Sequence, residues 1–373
     1  MSHRPLRVIF GVVIVLIACE TESRAFEWQA GTPESQGLDG QALQAMSADL
    51  QGHRTKALLV IRHDRIVYEW YAEGMSRTTK HYTASLAKAI VGGTSLMLAI
   101  DDDLVTPDDL ACAYVAQWRD DPLKSKITLR HLATHTSGIE DAEEDGKPHD
   151  QLSGWKGEFW KQEPNPFLNA RDDAPVLFEP GTGSQYSNPG MGMLSYCLAA
   201  ALRNAPQSDL RALLTERVMD PIGVPHNEWS MSYGRSFELD GLTLYANWGG
   251  GGYSPNAVAR VGRLMLRRGE WDGRQLVSQE TVDLVTADAG VPSRKQPPSG
   301  RRSGLCWWLN SNGAMPQVPQ DAFFGSGAGN QLIAVIPTLD LIVVRNGAQI
   351  SSDDHWAEVE NHLLNPLMQA VLD

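Results

Sequence analysis

The chain has 373 residues, enough for one large domain or two lobes around a substantial core. Hydrophobic and charged shares of 42% and 21% are those of an ordinary soluble globular protein. A formal charge of −13 repels phosphate backbones and excludes nucleic acid as a partner.

Arg4 and Arg7 precede an apolar run over residues 8–18 that is too short to cross a bilayer, so residues 1–25 read as an export signal. The run ends in Leu16-Ile-Ala-Cys19, which resembles the lipobox of bacterial lipoproteins. That resemblance implies a lipid on Cys19 and attachment of the protein to a membrane. Ser23-Arg-Ala25 offers the alternative of cleavage after Ala25 and release. Either route places the mature chain in the periplasm or the extracellular space. The other cysteines, Cys112, Cys197 and Cys306, are widely spaced and form no Cys-x-x-Cys pair. Buried free thiols are expected, rather than a disulfide framework or a zinc knuckle.

Leu38, Leu43, Met46 and Leu50 have the spacing of an amphipathic helix over residues 38–51. Two β-rich runs, Ala57–Ile61 and Ile66–Tyr71, flank the polar Arg62-His-Asp-Arg65 and predict a hairpin. From Ser85 to about Arg217 the chain reads as helices with long connections. Thr128 is placed to cap a short helix, and residues 140–150 form an acidic loop. Residues 150–169 also read as loop, followed by helices over 190–203 and 210–219. Four consecutive glycines, Gly249 to Gly252, require a turn or a close backbone approach. Residues 258–268 predict a helix with a basic outer face, and residues 291–302 a flexible loop. Strands at 305–310, 332–336 and 341–345 precede a closing helix over 354–371. β-runs at both ends with helices between them predict an α+β fold whose antiparallel sheet is built from both termini and flanked by helices. The sheet lobe covers about 27–84 and 285–373, and an inserted, mainly helical lobe covers about 85–284 of a single unit spanning 26–373.

The chemistry starts at Ser85-Leu-Ala-Lys88, at the head of an apolar run reaching Ile100. On a helix, positions three apart share a face, so this hydroxyl and this amine can act as nucleophile and base if burial keeps the amine neutral. The pattern alone is weak, since Ser153-Gly-Trp-Lys156 matches it too. Downstream, Tyr186-Ser-Asn188 follows a Gly-rich turn. A lysine near the phenol would lower its pKa and make it a proton shuttle, and the amide can hold an acyl substituent. Phe324-Gly-Ser326-Gly-Ala-Gly-Asn-Gln331 precedes a strand, where glycines let substrate approach backbone N–H groups. Gly-x-Ser-x-Gly occurs nowhere in the chain. His131 and His135 have the i, i+4 spacing of a zinc pair, but Leu132 stands where His-Glu-x-x-His needs its glutamate. A structural role is expected for both histidines, and for Asp101-Asp-Asp103 a solvated loop. Trp248, Trp307 and Trp308 are candidates for a pocket wall, with core packing as the alternative.

Taken in order, these segments resemble the serine β-lactamase and penicillin-binding-protein superfamily, in its class C-related branch of esterases, D-Ala-D-Ala carboxypeptidases and aminohexanoate-oligomer hydrolases. Ser85-Leu-Ala-Lys88 is similar to the first motif and Tyr186-Ser-Asn188 to the second. Thr128-Leu-Arg-His-Leu-Ala-Thr-His-Thr-Ser-Gly138 looks like the branch's Ile-Arg-His-Leu-Leu-Thr-His-Thr-Ser-Gly signature. The resemblance implies acyl transfer through Ser85, Lys88 and Tyr186. It also implies an oxyanion hole from the backbone N–H groups of Ser85 and Ala328, and substrate contacts from Asn188, Ser326 and Gly327. No metal or organic cofactor is implied. The third motif departs from the pattern, because Gly325-Ser326-Gly327 lacks the cation that usually meets a substrate carboxylate. A small ester, amide or peptide substrate is therefore expected, with neutral esters or amides fitting better than β-lactams or D-Ala-D-Ala peptides. Arg345 or an arginine of the 291–302 loop is the only replacement cation in view. A non-catalytic envelope protein that keeps the fold as a binding surface is the reading of another class.

Overall fold

The computed structural model describes residues 26–290, 301–351 and 354–372. The export signal with Cys19, and residues 291–300 of the loop, lie outside the described residues. Eight strands make the main sheet: Gln29–Ala30 (β1), Thr55–Arg62 (β2), Arg65–Tyr71 (β3), Arg302–Ser303 (β4), Trp308–Leu309 (β5), Phe323–Gly327 (β6), Gln331–Ile336 (β7) and Leu341–Gly347 (β8). Their order is β1-β3-β2-β8-β7-β6-β5-β4, antiparallel throughout except for the short parallel β1–β3 pair at one edge. The first and last thirds of the chain thus meet at the β2–β8 pairing, giving the α+β architecture read from the sequence.

Eight helices matter for the site: Gly40–Gly52 (α1), Thr94–Asp101 (α2), Leu129–Ala133 (α3), Gly154–Lys161 (α4), Asn188–Ala201 (α5), Pro255–Leu266 (α6), His355–Val359 (α7) and Asn365–Gln369 (α8). The Asp39 carboxylate caps α1 by accepting from the Gln41 and Ala42 N–H groups. The β2–β3 hairpin closes on His63 and Asp64, both left-handed, which is the turn geometry that matches strand twist.

The central strands are nearly continuous apolar runs because both faces of the sheet are covered. Leu59, Ile61, Ile333, Val335, Ile342 and Val344 face the larger core, which holds α2, α5 and α6. Leu58, Val60, Leu332, Ala334, Leu341 and Val343 face a second core closed by α1 and by α7–α8. Each of the valine, leucine and isoleucine side chains among them contributes about 1.5–3 kcal/mol by leaving water. Residues 84–101 are apolar and long enough to span a membrane, yet 78% of that stretch is buried in the fold.

Three local expectations are corrected. Part of 150–169 is helical: Phe159 on α4 packs on Trp248 at 5.0 Å between centroids, and Trp160 stacks on His149 at 3.7 Å. Tertiary aromatic contacts hold this helix, which has no regular apolar stripe to announce it. The basic face of α6 is not on the outside. Arg260 donates to the Ile222 and Phe26 carbonyls, Arg263 pairs with Asp64, and both guanidiniums lie near the Phe26 and Trp271 rings. Finally, the Gly-rich segment at 323–327 is itself a strand, whereas the expected strand at 305–310 shrinks to Trp308–Leu309.

Candidate active site

Ser85 sits where the chain turns from the small β-bridge at His81–Tyr82 into the central buried helix. Ala84, just before it, has φ 46°, a left-handed conformation costly for an alanine. A tight turn over Ala84–Leu86 is followed by a wider, π-type stretch over Lys88–Gly93 before α2 begins, and such irregular turns concentrate at functional sites. The Thr83 hydroxyl donates to the Gly250 carbonyl at 2.7 Å, tying this turn to the four-glycine segment.

Lys88 is 4% exposed, and its Nζ lies 3.2 Å from Ser85 Oγ, 2.7 Å from Asn188 Oδ1 and 2.6 Å from the Trp248 carbonyl. Burial pushes the amine down to about 7, against opposing pulls from Asp141 and Glu143. A neutral amine has two hydrogens and one lone pair. The two carbonyl oxygens take the hydrogens, which leaves the lone pair for Ser85. Tyr186 Oη donates to Ser85 Oγ at 2.6 Å from the other side.

The expectation for the tyrosine pKa is corrected. Burial pushes the Tyr186 phenol well above its ordinary value, and Lys88 Nζ sits 4.6 Å over the face of its ring rather than beside its oxygen. Tyr186 therefore keeps its proton and is a donor in the resting site.

Asn188 opens α5, where Ser187 is the cap and Pro189 follows. Its amide orientation is fixed by Asp141, whose Oδ1 accepts from Asn188 N at 2.8 Å and Asn188 Nδ2 at 3.0 Å. The same oxygen accepts from Ala142 N at 2.8 Å. Asp141 was hidden in the sequence inside an acidic stretch that reads as a solvated loop. Only the fold shows that this one carboxylate of the stretch turns inward.

On the opposite wall, the end of β6 lies against Ser85. A Cβ on Gly327 would sit 2.4 Å from the Thr83 carbonyl and 2.9 Å from the Ser85 nitrogen, so only glycine lets the strand approach this closely. Ala328 follows in the exposed turn to β7. A Cβ on Gly325 would meet Leu86 Cδ1 at 2.7 Å and Ala89 Cβ at 2.9 Å, so the strand packs directly on the serine's helix where the superfamily pattern has a cation. Arg345 does not replace it. Its buried guanidinium is used up on Thr55 Oγ1 and the carbonyls of Gly329, Asn330, His53 and Ala348. Arg302 pairs with Asp288, and Arg301 lies over the Trp356 ring at 4.5 Å.

The cleft is lined by Ser85, Tyr186, His135, Cys306, Trp308 and Ser326, among others. Trp307 also lines it, whereas the Trp248 ring packs against Phe159 and Phe167 in the core and gives the site its carbonyl. His135 is left-handed at φ 58°, packs on the Tyr186 ring at 4.6 Å and accepts from Ser187 N; burial, with Lys88, pushes it down to about 3. His131 instead forms a reciprocal capping box with Thr128, and α3 ends before His135, so the two rings do not share a helix face. Cys306 is a free thiol pushed up to about 12 by burial. The duplicate motif has no such setting: Ser153 is exposed at the start of α4, and Lys156 pairs with Glu140 at 3.0 Å.

Sequence comparison supplies a family for the chain that carries Ser85, Lys88 and Tyr186. The Beta-lactamase family profile covers residues 42–356. The chain belongs to that family. It is thereby a hydrolase of the serine β-lactamase and penicillin-binding-protein superfamily. It is similar to a 6-aminohexanoate-dimer hydrolase of Paenarthrobacter ureafaciens, 24% identical over 341 residues that cover 85% of this chain and 79% of the relative. A penicillin-binding protein homolog from Caulobacter crescentus shares the fold, with TM-score 0.63 and 14% identity over 89% of this chain and 99% of that one. So does a family VIII carboxylesterase, with TM-score 0.63 and 14% identity over 91% and 99%.

Proposed function

We propose that this family member hydrolyses neutral carboxylic esters or amides through a covalent acyl-Ser85 intermediate. The observation that carries the reading is the placement of Lys88 Nζ, 3.2 Å from Ser85 Oγ with both other contacts to carbonyl acceptors. Ser85 Oγ attacks the substrate carbonyl carbon while its proton passes to the Lys88 lone pair. The developing oxyanion is received by the backbone N–H groups of Ser85 and Ala328, a role carried over from the family resemblance and supported by the close approach of Gly327 to the Ser85 nitrogen. The tetrahedral intermediate collapses by breaking the C–O or C–N bond. Tyr186 gives its proton to the leaving alcohol or amine and recovers one from the Lys88 ammonium. Water then attacks the acyl carbonyl carbon as its proton passes to the Lys88 lone pair, and the second tetrahedral intermediate breaks its bond to Ser85 Oγ, which takes that proton back from Lys88. Asn188, held by Asp141, orients Lys88.

Glycine at 325 and the fully engaged Arg345 support a neutral substrate over a β-lactam or a D-Ala-D-Ala peptide. The names of a 6-aminohexanoate-dimer hydrolase and a carboxylesterase among similar proteins are consistent with that class. The test is hydrolysis of p-nitrophenyl esters and labelling by a fluorophosphonate. Ser85→Ala abolishes both and Ser153→Ala leaves both intact. Labelling that survives Ser85→Ala, or stoichiometric acylation without turnover, overturns the assignment, the latter in favour of a non-catalytic binding protein. For residues 1–25 the proposal is export with a lipid on Cys19.

A further inference from the structure

Next to the glycine that replaces the usual cation, Ser326 makes contacts of a different kind. Ser326 lines the same cleft as Ser85. Its hydroxyl lies 2.6 Å from Nε2 of His355, the first residue of α7, and 3.3 Å from the Gln331 carbonyl. The direction of these bonds is decided one residue further out, at Asn330. Asn330 Oδ1 accepts from the Ile350 N–H at 3.0 Å, and Asn330 Nδ2 donates to the His355 carbonyl at 3.1 Å. Both backbone contacts demand the same amide orientation, so the group 3.2 Å from His355 Nδ1 is an NH2. An NH2 in that place needs a lone pair on Nδ1. The single hydrogen of the neutral ring is then on Nε2, from which it donates to Ser326 Oγ.

Protonating His355 would set one N–H against another. Burial pushes the imidazole down in the same sense, helped by Arg301 and Arg345 and opposed by Glu358 and Asp354. The ring stays neutral, and this wall of the cleft carries a donor without a charge. Ser326 accepts from His355 and keeps one hydrogen of its own. The protein acceptor within its reach is the Gln331 carbonyl at a long 3.3 Å, so an oxygen in the cleft competes for that hydrogen readily.

We infer that Asn330 and His355 are positioning residues that fix Ser326 as an uncharged hydrogen-bond donor to the substrate, and that the group it receives is a neutral acceptor such as a carbonyl oxygen, not a carboxylate. A carboxylate placed there would lose its hydration against a neutral hydroxyl and imidazole, because the Arg301 guanidinium lies over the Trp356 ring and Arg345 is spent on the Gly329 and Asn330 carbonyls. A carbonyl loses much less and gains a hydrogen bond. The inference rests on the serine-hydrolase reading above and extends it to the substrate.

Three aryl acetates test it: 4-acetylphenyl acetate with a neutral acceptor, 4-ethylphenyl acetate with none, and 4-carboxyphenyl acetate with a charge. Comparing each substrate across variants cancels the differing reactivity of the leaving groups. In His355→Ala the ratio of kcat/KM for the acetyl over the ethyl ester falls about tenfold, mostly through KM, as expected for one lost hydrogen bond. His355→Gln returns an N–H near the Nε2 position and restores most of the ratio. Ser326→Ala lowers it equally, and the double variant lowers it no further. A folded His355→Ala enzyme with an unmoved ratio, equal losses on all three esters, or a wild-type preference for the carboxylate ester overturns the inference. A wild-type enzyme that fluorophosphonate does not label at Ser85 overturns the hydrolase reading itself, so the two failures are distinguishable.

Discussion

Asp141→Asn isolates the electrostatic control of the base. In the wild type, burial pushes the Asp141 carboxyl up, and three N–H groups converging on Oδ1, from Asn188 N, Asn188 Nδ2 and Ala142 N, oppose it together with the Lys88 charge. The substitution keeps Oδ1 and all three bonds but removes the charge. Lys88 and Asp141 are joined across one amide by hydrogen bonds of 2.7 and 3.0 Å. That chain puts the charges roughly 7 Å apart, and at an effective dielectric of about 20 their attraction is about 2 kcal/mol. Asp141 favours the charged amine, so its loss lowers the Lys88 pKa by roughly 1.5 units. Lys88 acts as a base only when deprotonated, so activity rises with pH through its pKa. The acid limb of kcat/KM for p-nitrophenyl acetate, centred near the Lys88 value of about 7, is expected to move to lower pH by roughly 1.5 units. The measurement is a pH–rate profile of the two enzymes at constant ionic strength. An unmoved limb, or one displaced upward, refutes the assignment of Lys88 as the base under Asp141 control.

Lys88→Arg keeps a cation but cannot deprotonate, so hydrolysis falls by about 10³-fold or more at every pH up to 10, read by initial rates. Gly325→Lys restores the family's cation in the sequence but drives a Cβ to 2.7 Å from Leu86 Cδ1. Urea unfolding should show a loss of about 1–3 kcal/mol, and the variant gains no hydrolysis of a carboxylate-bearing ester. Arg263→Met removes the buried partner of Asp64 and leaves that carboxylate to Arg267 alone; chemical denaturation is expected to show destabilisation of about 2 kcal/mol. Cys19→Ser, expressed in a bacterium fed radiolabelled palmitate, should lose the label and appear in the soluble exported fraction. Label retained by that variant rejects the lipid site.

The sequence by itself determined the parts whose chemistry is local. Ser85-Leu-Ala-Lys88 needs only one helical turn to bring its two groups together, the β2–β3 hairpin needs only its polar turn, and apolar runs at both ends can be buried on both sides only as central strands of one sheet. Tyr186 and Asn188 were legible through resemblance. Tertiary structure decided what depends on surroundings. Whether a buried group is charged follows from what encloses it: Lys88 is driven toward neutrality by burial, and that same burial pushes Tyr186 up where a neighbouring lysine alone suggests the reverse. The arginines of α6 read as a solvent face because no local pattern foretells Phe26 and Trp271 lying over them. Asp141, 53 residues after Lys88 in an acidic loop, and His355, 29 residues after Ser326, reach the site only through the packing of distant segments. Spacing along the chain encodes contacts within a turn or a hairpin. It does not encode which member of a polar stretch is carried inward, because that choice is made by the surfaces it folds against.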